Sequence, residues 1–523
     1  MHDATWMLRV FARRRLSRLA QLDPEKCQRK VLEALIKKAR NTVFVRQQDL
    51  GGTCDLERFR SRVPVRDYDA FWQEYWSKPF PNLRNCTWPG RIPWFAVSSG
   101  TSTGVTKFIP VSREMYRSNS RAGADLLVHH LSSRPESRLL AGRFFMLGGS
   151  TGLVRQGPGV LSGDLSGIAA SAMPQWARLR YFPPRELDAI SDWQVKIERF
   201  AERSLETRIT ALAGVPSWLL IFIDQLCRQA EIKFDKADLR IADIYPHLEL
   251  LVHGGVAWRP YRERFKELLG GSQVQTREVY SASEGFFGVA DSEPHEGLRL
   301  LLDTGIFYEF IPVDQIGSAN PDCRWIADAE TGVNYALVVT TCAGLWRYLV
   351  GDTVMLTNSG PPRVVVTGRT TYMLSTFGEH VIGSEVETAI AEAAESINVK
   401  ISDFSVGTVF PRASEVRGGH LFVVEFSQDS SRTAAIPAER ERFAMQVDAS
   451  LKRQNDDYAA HREGGVGMNP PSILVMPAGG FAKWMASRGK LGGQNKVPRI
   501  MNDAELFAGL QQFAKSCRGV SRV

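Results

Sequence analysis

The chain has 523 residues, of which 44% are hydrophobic, and its 65 basic and 57 acidic side chains give a net charge of +8. This length allows two or three domains with sizeable cores, and the basic excess suits anionic ligands. The basic residues are spread rather than gathered into runs with aromatic residues, which argues against nucleic-acid binding, and no apolar run approaches the roughly twenty residues of a membrane span.

Cysteine and histidine patterns give no sign of a metal site. The seven cysteines are scattered and form no Cys-x-x-Cys pair, so we expect neither a zinc ribbon nor a disulfide framework, and a cytoplasmic location. The histidines lack metal-ligand spacing. The first twenty residues are basic enough to mimic a transit segment, but a surface helix is the preferred interpretation. The sequence does not indicate the oligomeric state.

Apolar strands alternate with amphipathic helices over the first two thirds of the chain. The helical spacing of apolar residues predicts a helix over 28–40. Further on, the sequence predicts strands at 144–147, 248–252 and 336–340, and helices at 192–203, 218–232 and 260–269. This alternation predicts an α/β fold with large mixed sheets.

The segment 148–167 is the most glycine-rich stretch and is predicted to be a long loop. Gly148-Gly-Ser-Thr-Gly152 matches the nucleophile elbow of serine hydrolases, but Gly157, Pro158 and Gly159 interrupt the helix that should follow. Gly157–Gly163 approximates a dinucleotide-binding motif, with its third glycine one place late and no strand expected before it. Neither motif is therefore expected to be functional, although the loop could shape a substrate pocket.

The pattern changes after Gly368-Arg369. The sequence then predicts a helix at 384–395, strands at 404–409 and 420–426, and a helix at 437–454 with proline at its start. These elements suit a compact α+β domain of about 150 residues. We therefore expect a large N-terminal domain over 1–370 and a small C-terminal domain over 371–523.

The segment from Ser98 to Lys107 is the strongest candidate for binding a polyphosphate. It contains six hydroxyl side chains, two glycines and a lysine within ten residues. Glycines let backbone N–H groups approach an anion, hydroxyls donate hydrogen bonds and lysine supplies positive charge. The spacing is not that of a Walker A loop, which disfavours a P-loop kinase or GTPase.

Three later segments carry further polar groups at the ends of predicted elements. Tyr280–Gly288 follows a predicted strand and places Glu284, a possible Mg²⁺ ligand, beside two serines. Gly344–Asp352 ends in a carboxylate directly after a glycine, where it could accept hydrogen bonds from both hydroxyls of a ribose. Gly492–Arg499 offers Lys496 and an arginine on a glycine-rich loop.

The order of these segments resembles that of adenylate-forming enzymes. More closely, Ser98–Pro110, Tyr280–Gly288 and Gly344–Asp352 resemble the three signature motifs of the Gretchen Hagen (auxin-responsive) family of acyl acid amido synthetases, and supporting similarities extend from about Gln28 to Arg499. The resemblance implies an adenylate-forming fold with a mobile C-terminal domain. It also implies an ATP- and Mg²⁺-dependent ligase that adenylates a carboxylic acid and passes the acyl group to an amine, typically of an amino acid.

The same resemblance assigns roles to individual residues. Lys496, Glu284 and Lys107 would act in catalysis, with Glu284 holding Mg²⁺, and His380 would serve the second half-reaction. Val215 and Trp218 could line the acyl pocket, although a place in the core is the preferred interpretation for Trp218. The ATP- or AMP-binding residues would be Ser98, Ser99, Gly100, Thr101, Ser102, Ser281, Ala282, Ser283, Tyr348, Asp352 and Arg369.

Two positions depart from the plant pattern. Leu349 replaces an arginine, and His380 stands where plant members commonly have a lysine. Two alternatives therefore stay open: a ligase that passes the acyl group to a thiol of coenzyme A or a carrier protein, and a nucleotide-binding protein without catalysis. No nucleic-acid or membrane partner is expected, and the acid and the amine are not identified.

Overall fold

The computed structural model describes residues 2–51, 55–99, 106–148, 152–184, 187, 190, 193–255, 258, 261–292, 296–316, 318, 320–370, 373–374, 379, 381–409, 418–427, 430, 436–455, 458–459, 462, 468–489 and 496–519. The chain divides into two compact units. The first comprises Met1–Gly100, Val105–Val256 and Leu269–Val366, and the second comprises Thr101–Gly104, Ala257–Leu268 and Thr367–Val523.

Most predicted helices are present, with shifted ends. The helix predicted at 28–40 begins earlier, at Pro24, because the Asp23 carboxylate accepts a hydrogen bond from the Lys26 amide and caps it. No helix in the described ranges combines the length and hydropathy needed to cross a bilayer. The helices are α1 (Thr5–Ala20), α2 (Pro24–Ala39), α3 (Val43–Gln47), α4 (Leu56–Arg62), α5 (Tyr68–Phe71), α6 (Arg113–Ser133), α7 (Leu165–Ala172), α8 (Gln175–Arg178), α9 (Trp193–Ser204), α10 (Pro216–Phe234), α11 (Ile241–Ile244), α12 (Arg262–Leu268), α13 (Gly383–Ser396), α14 (Pro437–Gln454), α15 (Gly480–Ser487) and α16 (Ala504–Gly519).

The strands predicted from apolar runs are likewise present. In chain order the strands are β1 (Trp94–Ser99), β2 (Thr106–Val111), β3 (Arg143–Leu147), β4 (Val154–Gly157), β5 (Val160–Gly163), β6 (Tyr181–Phe182), β7 (Ile209–Gly214), β8 (Leu250–Gly254), β9 (Gln275–Ala282), β10 (Gly285–Val289), β11 (Leu298–Leu300), β12 (Ile306–Pro312), β13 (Arg324–Trp325), β14 (Asn334–Thr341), β15 (Tyr348–Ser359), β16 (Pro362–Arg369), β17 (Met373–Leu374), β18 (Val381–Ile382), β19 (Ile401–Val409), β20 (Gly419–Phe426), β21 (Ser472–Met476) and β22 (Ile500–Met501). Together with the helices they confirm the predicted α/β class.

The main sheet of the first unit is mixed. Its strand order is β13-β12-β14-β15-β16-β11-β10-β9-β8-β7-β3-β6. The strands β6, β3, β7, β8 and β9 are parallel, whereas β9 to β11 and β12 to β15 pair in antiparallel fashion. The carboxyl ends of the parallel strands therefore share one edge, which is where open α/β sheets bind their ligands.

The prediction of a long loop over 148–167 is wrong, because this segment contributes two strands to a smaller sheet. Within 152–167, β4 and β5 form a hairpin that turns at Gly159 (φ +67°), and α7 follows. β5 pairs in parallel with β1, in the sheet order β2-β1-β5-β4. Tertiary pairing therefore overrides the high glycine content of this segment. Ser150, the serine of the rejected hydrolase motif, lies outside the described residues.

The basic N-terminal segment forms the predicted helix, but one of its arginines is buried. Arg15 is 6% exposed and forms ion pairs with Asp125 of α6 and with Asp303, both at 2.6 Å. A buried guanidinium with two carboxylate partners is well compensated. The inner face of α1 is therefore part of the packed first unit, while Trp6, Met7 and Phe11 face outward.

The second unit has its own sheet and core. Its four strands are ordered β21-β20-β19-β22, and α13 and α14 pack with β19 and β20 around buried residues such as Phe404, Phe422 and Phe443. This unit also contains α12, from the middle of the chain. Lys400 pairs with Glu267 of α12 at 2.5 Å. Binding of the nucleotide and acyl group by residues 1–370 stays a prediction. Movement of residues 371–523 also stays a prediction.

Candidate active site

The segment from Gly344 to Asp352 is anchored in the core of the first unit. Trp346 is fully buried, stacks on Phe44 at 5.4 Å, and donates from Nε1 to the Thr87 carbonyl at 2.9 Å. Gly344 has φ +87°, and an added Cβ there would lie 2.7 Å from the Thr87 backbone. No other residue fits this turn, which fixes where β15 begins.

Arg347 is a second anchor. Its guanidinium is 6% exposed, lies 3.0 Å from the Glu309 carboxylate, and donates to the Val63 carbonyl at 2.7 Å. The motif therefore uses its tryptophan and arginine for packing and leaves Tyr348 and Asp352, further along β15, to project from a fixed strand.

Two hydrogen bonds join the second and third motifs. The Tyr280 hydroxyl donates to Oδ2 of Asp352 at 2.9 Å, and the Tyr348 hydroxyl donates to Oε1 of Glu284 at 3.3 Å. All four side chains are at least nine-tenths buried. Three strands separate β9 from β15 in the sheet, so the sheet curls enough to bring these side chains together.

The electrostatics keep Tyr348 as a hydrogen-bond donor. Burial, and next the charge of Glu284, raise the pKa of Tyr348 well above its usual value. The Tyr348 phenol therefore stays protonated at physiological pH and can donate to the Glu284 carboxylate. Sequence reasoning missed the role of Tyr280, although this residue opens the second motif and could have been singled out.

The ends of the hydroxyl-rich segment are strands rather than loop. Ser98 and Ser99 end β1, Thr106 and Lys107 begin β2, and Ser98 lies opposite Lys107 in the antiparallel register. The prediction of a loop over all ten residues is wrong at both ends, because the antiparallel pairing of β1 with β2 continues through Ser99 and Thr106. Residues 100–105, with the predicted ligands Gly100, Thr101 and Ser102, lie outside the described part of the chain, as does the side chain of Ser99.

Tyr68 links this hairpin to the third motif. The Lys107 ammonium lies 5.4 Å from the centre of the Tyr68 ring, and the Tyr68 hydroxyl accepts a hydrogen bond from the Phe108 amide at 3.0 Å. Two residues earlier, Arg66 forms a parallel bridge with Tyr348. The first unit thus brings Lys107, Tyr348, Glu284 and Asp352 into one neighbourhood. No sequence signal marked Tyr68.

The remaining predicted residues of the first unit differ in exposure. Ser281 is exposed, and Ala282 and Ser283 are half-buried at the turn between β9 and β10. Val215 is half-buried directly before α10, and Trp218 in its first turn is 9% exposed. This burial agrees with either role considered for Trp218, in the core or in the wall of a pocket.

Three predicted or adjacent residues lie in the second unit. Arg369 is exposed at the end of β16, and Lys496 is half-buried. Arg499 is 14% exposed, forms an ion pair with Asp403, and donates to the Tyr261 hydroxyl at 2.6 Å. Arg499 is thus a structural anchor for the strand that follows Lys496.

His380 lies outside the described residues, but its neighbour Glu379 is described. The Glu379 carboxylate and Nε2 of His420 are 2.8 Å apart, and both side chains are fully buried. Among the described residues no group of three or more His, Cys, Asp or Glu side chains could hold a metal ion.

Leu349, the first departure from the plant pattern, has a packing role. Its side chain contacts a small apolar cluster of Ile311, Ala336 and Val338, and its amide donates to the Arg66 carbonyl at 2.8 Å. An arginine here would have to leave that cluster, so the leucine belongs to the fold of this chain rather than to its ligand contacts.

Comparison with known proteins identifies the family. Models of the N-terminal, central and C-terminal domains of the GH3 family match residues 15–147, 299–369 and 384–505. An indole-3-acetic acid-amido synthetase, GH3.4 of Arabidopsis thaliana, is 23% identical over 92% of this chain and 90% of its own length. A probable indole-3-acetic acid-amido synthetase, GH3.2 of Oryza sativa subsp. japonica, is also 23% identical, over 91% of this chain and 88% of its own.

Solved structures agree. The AtGH3.15 acyl acid amido synthetase in complex with 2,4-DB superposes with a TM-score of 0.80 at 20% identity over 95% of both chains. A 2-hydroxyisobutyryl-CoA ligase in the postadenylation state, in complex with 2-HIB-AMP, gives 0.61 at 17% identity over 94% of this chain and 92% of its own. These similarities confirm the adenylate-forming fold. The chain belongs to the GH3 family, which is the Gretchen Hagen family that its sequence motifs resemble.

Proposed function

We propose that this protein is an ATP-dependent acyl acid amido synthetase. The observation that carries the proposal is the pair of buried hydrogen bonds from Tyr280 to Asp352 and from Tyr348 to Glu284, which joins two signature motifs in a member of the GH3 family. The named GH3 relatives are amido synthetases, and the family-wide match covers most of the chain.

The first half-reaction forms an acyl adenylate. A carboxylate oxygen of the acid attacks the α-phosphorus of ATP, and the bond from that phosphorus to the bridging oxygen breaks, releasing pyrophosphate. Lys107 and the hydroxyls from Ser98 onward would hold the phosphates, and Asp352 would accept hydrogen bonds from the ribose. Catalysis would depend on positioning and preorganised charge, because negative charge crowds this transition state.

A magnesium ion fits the donor set. Mg²⁺ commonly uses one or two protein carboxylates together with substrate phosphates and water, so the single buried carboxylate of Glu284 is a suitable protein ligand. Bound there, the ion would supply positive charge to the phosphates. Tyr348 would fix the orientation of the Glu284 carboxylate through its 3.3 Å hydrogen bond.

In the second half-reaction the nitrogen of an amine attacks the acyl carbon of the adenylate, AMP leaves, and the nitrogen loses a proton to give an amide. We propose an amino acid as the amine. Lys496 would supply charge during adenylation, and Arg369 and His380 would contact the nucleotide or serve the transfer step. Cytoplasmic location also stays a prediction.

An acid-dependent pyrophosphate exchange assay tests this function. Protein, ATP, Mg²⁺ and labelled pyrophosphate are incubated with a panel of aryl, indole and aliphatic acids. The proposal expects label in ATP only when a suitable acid is present. ATP binding without exchange for any acid would contradict it and favour a protein without catalysis.

The acceptor is tested by product mass. The acid that supports exchange is incubated with ATP and either a mixture of amino acids or coenzyme A. An amide is expected. A thioester without amide would show that the chain is a ligase with a thiol acceptor instead.

A further inference from the structure

A row of four residues crosses the parallel part of the main sheet at the carboxyl end of its strands. Leu147 pairs with Gly214, Gly214 with His253, and His253 with Glu278. Leu147 and Gly214 are the last residues of β3 and β7, and His253 is the second-last of β8. Because residues in register on neighbouring strands project to the same side, the row defines one strip of one face.

This strip lies beside the candidate active site. Glu278 is two residues before Tyr280 on β9, so both side chains project from the same face, about 7 Å apart along the strand. Tyr280 is the residue that binds Asp352. Glu278 thus precedes, by one position on the same face of β9, the tyrosine that holds the predicted ribose-binding group, and it lies near the ligand-binding edge of the sheet.

Apart from Glu278, the row holds Leu147, Gly214 and the imidazole of His253. An added Cβ at Gly214 would come within 3.1 Å of Leu219 Cδ2 in α10, so α10 covers this face, and Trp218 is its neighbour on that helix. His253 is 3% exposed, and burial lowers its pKa to about 3, so it is neutral at physiological pH. Glu278 is therefore the one acidic group of the row.

The fold gives this acid no compensation among the described residues. Within the described ranges the Glu278 side chain forms no hydrogen bond or ion pair, and burial raises its pKa to about 7. By contrast, the neighbouring Arg277 on the opposite face donates to the Ala290 carbonyl at 2.7 Å. Glu278 is half-buried. A carboxyl group that is partly withdrawn from water without a partner destabilises a fold, whereas a ligand that supplies the missing hydrogen bond recovers that cost.

We propose that Glu278 determines acyl acid specificity by accepting a hydrogen bond from a hydroxyl or N–H group at the end of the acid remote from its carboxylate. This inference rests on the proposed function. A strip in which Glu278 is the one acidic group beside a neutral imidazole favours an aromatic or alicyclic acid with one such donor over an acid that is apolar throughout.

The test uses matched pairs of acids in the pyrophosphate exchange assay. The pairs are 4-hydroxybenzoate with benzoate, and indole-3-acetate with naphthalene-1-acetate, whose members differ chiefly in the donor. We expect the unmodified protein to prefer the donor-bearing acid by roughly tenfold or more in kcat/KM, since an unmet polar group at a binding site costs about this much. Glu278→Gln should keep a preference, and Glu278→Leu should abolish it.

Thermal unfolding of the same variants separates specificity from folding. Glu278→Leu should unfold at an unchanged or higher temperature, because it removes a carboxyl group that the fold leaves uncompensated. A lower melting temperature with the preference intact would assign Glu278 a structural role and overturn the inference. Absence of any preference in the unmodified protein would also overturn it. Absence of exchange with every acid would instead refute the proposed function, and with it this extension.

Discussion

The Tyr280 hydroxyl binds Oδ2 of Asp352 at 2.9 Å, joining two residues that are 72 positions apart in the chain. Both side chains are 6% exposed. A hydrogen bond to a buried carboxylate is stronger than one between neutral groups. Asp352 is therefore held in one orientation before ATP binds. Its side chain then loses less conformational entropy when the nucleotide binds.

Removal of the Asp352 charge should weaken the use of ATP. Since hydrogen bonds to a charged group contribute about 1.5–3 kcal/mol, Asp352→Asn should lower kcat/KM for ATP by roughly ten- to a hundredfold. Tyr280→Phe should have a smaller effect in the same direction, because it only releases the orientation of the carboxylate.

Steady-state pyrophosphate exchange at varied ATP concentration measures both effects. Tyr335→Phe is the matched control, since Tyr335 is a fully buried tyrosine of the same unit that accepts a hydrogen bond from the Glu330 amide at 3.0 Å. If Tyr335→Phe and Asp352→Asn change kcat/KM equally, the effect is one of stability and Asp352 has no part in nucleotide binding.

Lys496→Ala should slow adenylation with little effect on folding. A lysine that neutralises charge in the transition state lowers kcat when removed, while ATP binding is largely kept. Single-turnover release of pyrophosphate measures the step directly. Lys483→Ala, at an exposed lysine of α15, is the control. An unaffected Lys496→Ala variant would remove this residue from the mechanism.

The sequence predicted the elements of the site better than its contacts. Apolar runs located β9, β14 and, in the second unit, β19 and β20, because period and composition are local properties. The pairing of Tyr280 with Asp352 depends on the curl of a sheet with three strands between them, which no local pattern encodes. The motif order carried the family assignment instead.

The errors have physical causes that can be named. The segment 154–163 was predicted to be loop from its glycines, but pairing with β1 makes it a hairpin. Arg499 was grouped with Lys496 as a loop cation, yet it is buried against Asp403 and Phe404. Glu278 was not singled out because an acid within a strand pattern is usually exposed, whereas this one is half-buried. Burial is a property of the whole fold.

Arg499→Met should destabilise the second unit. Arg499 is buried against Asp403 and Tyr261, and Phe404 lies 4.3 Å from its guanidinium. Removing one partner of a buried ion pair leaves the other charge uncompensated, at a cost of about 3–5 kcal/mol. Differential scanning calorimetry should therefore show a lower melting temperature.

The control for this prediction is Arg442→Met, at an exposed arginine of α14. A double variant, Arg499→Met with Asp403→Asn, should recover part of the loss because it removes the uncompensated carboxylate as well. Equal melting temperatures for the Arg499 and Arg442 variants would show that the ion pair does not stabilise the fold.

Acid should destabilise the first unit through two buried histidines. Burial lowers the pKa of His129 to about 4 and that of His253 to about 3, from an ordinary value near 6.5. Each ring therefore binds its proton more tightly in the unfolded chain than in the folded one. Stability rises with pH wherever the unfolded state holds more protons, so the free energy of unfolding should fall as the pH drops below about 6.5.

Single histidine variants separate the contribution of the buried histidines from that of other acid-sensitive groups. At pH 5 each histidine should cost roughly 2 kcal/mol, since one pKa unit corresponds to about 1.36 kcal/mol. Denaturant unfolding at pH 7.5 and pH 5 should show a smaller pH dependence for His129→Gln than for the unmodified chain, because glutamine does not titrate. His247→Gln, at an exposed position, should leave the dependence unchanged. If His129→Gln and His247→Gln respond alike, acid sensitivity arises elsewhere, in the carboxylates that the fold pairs with arginine.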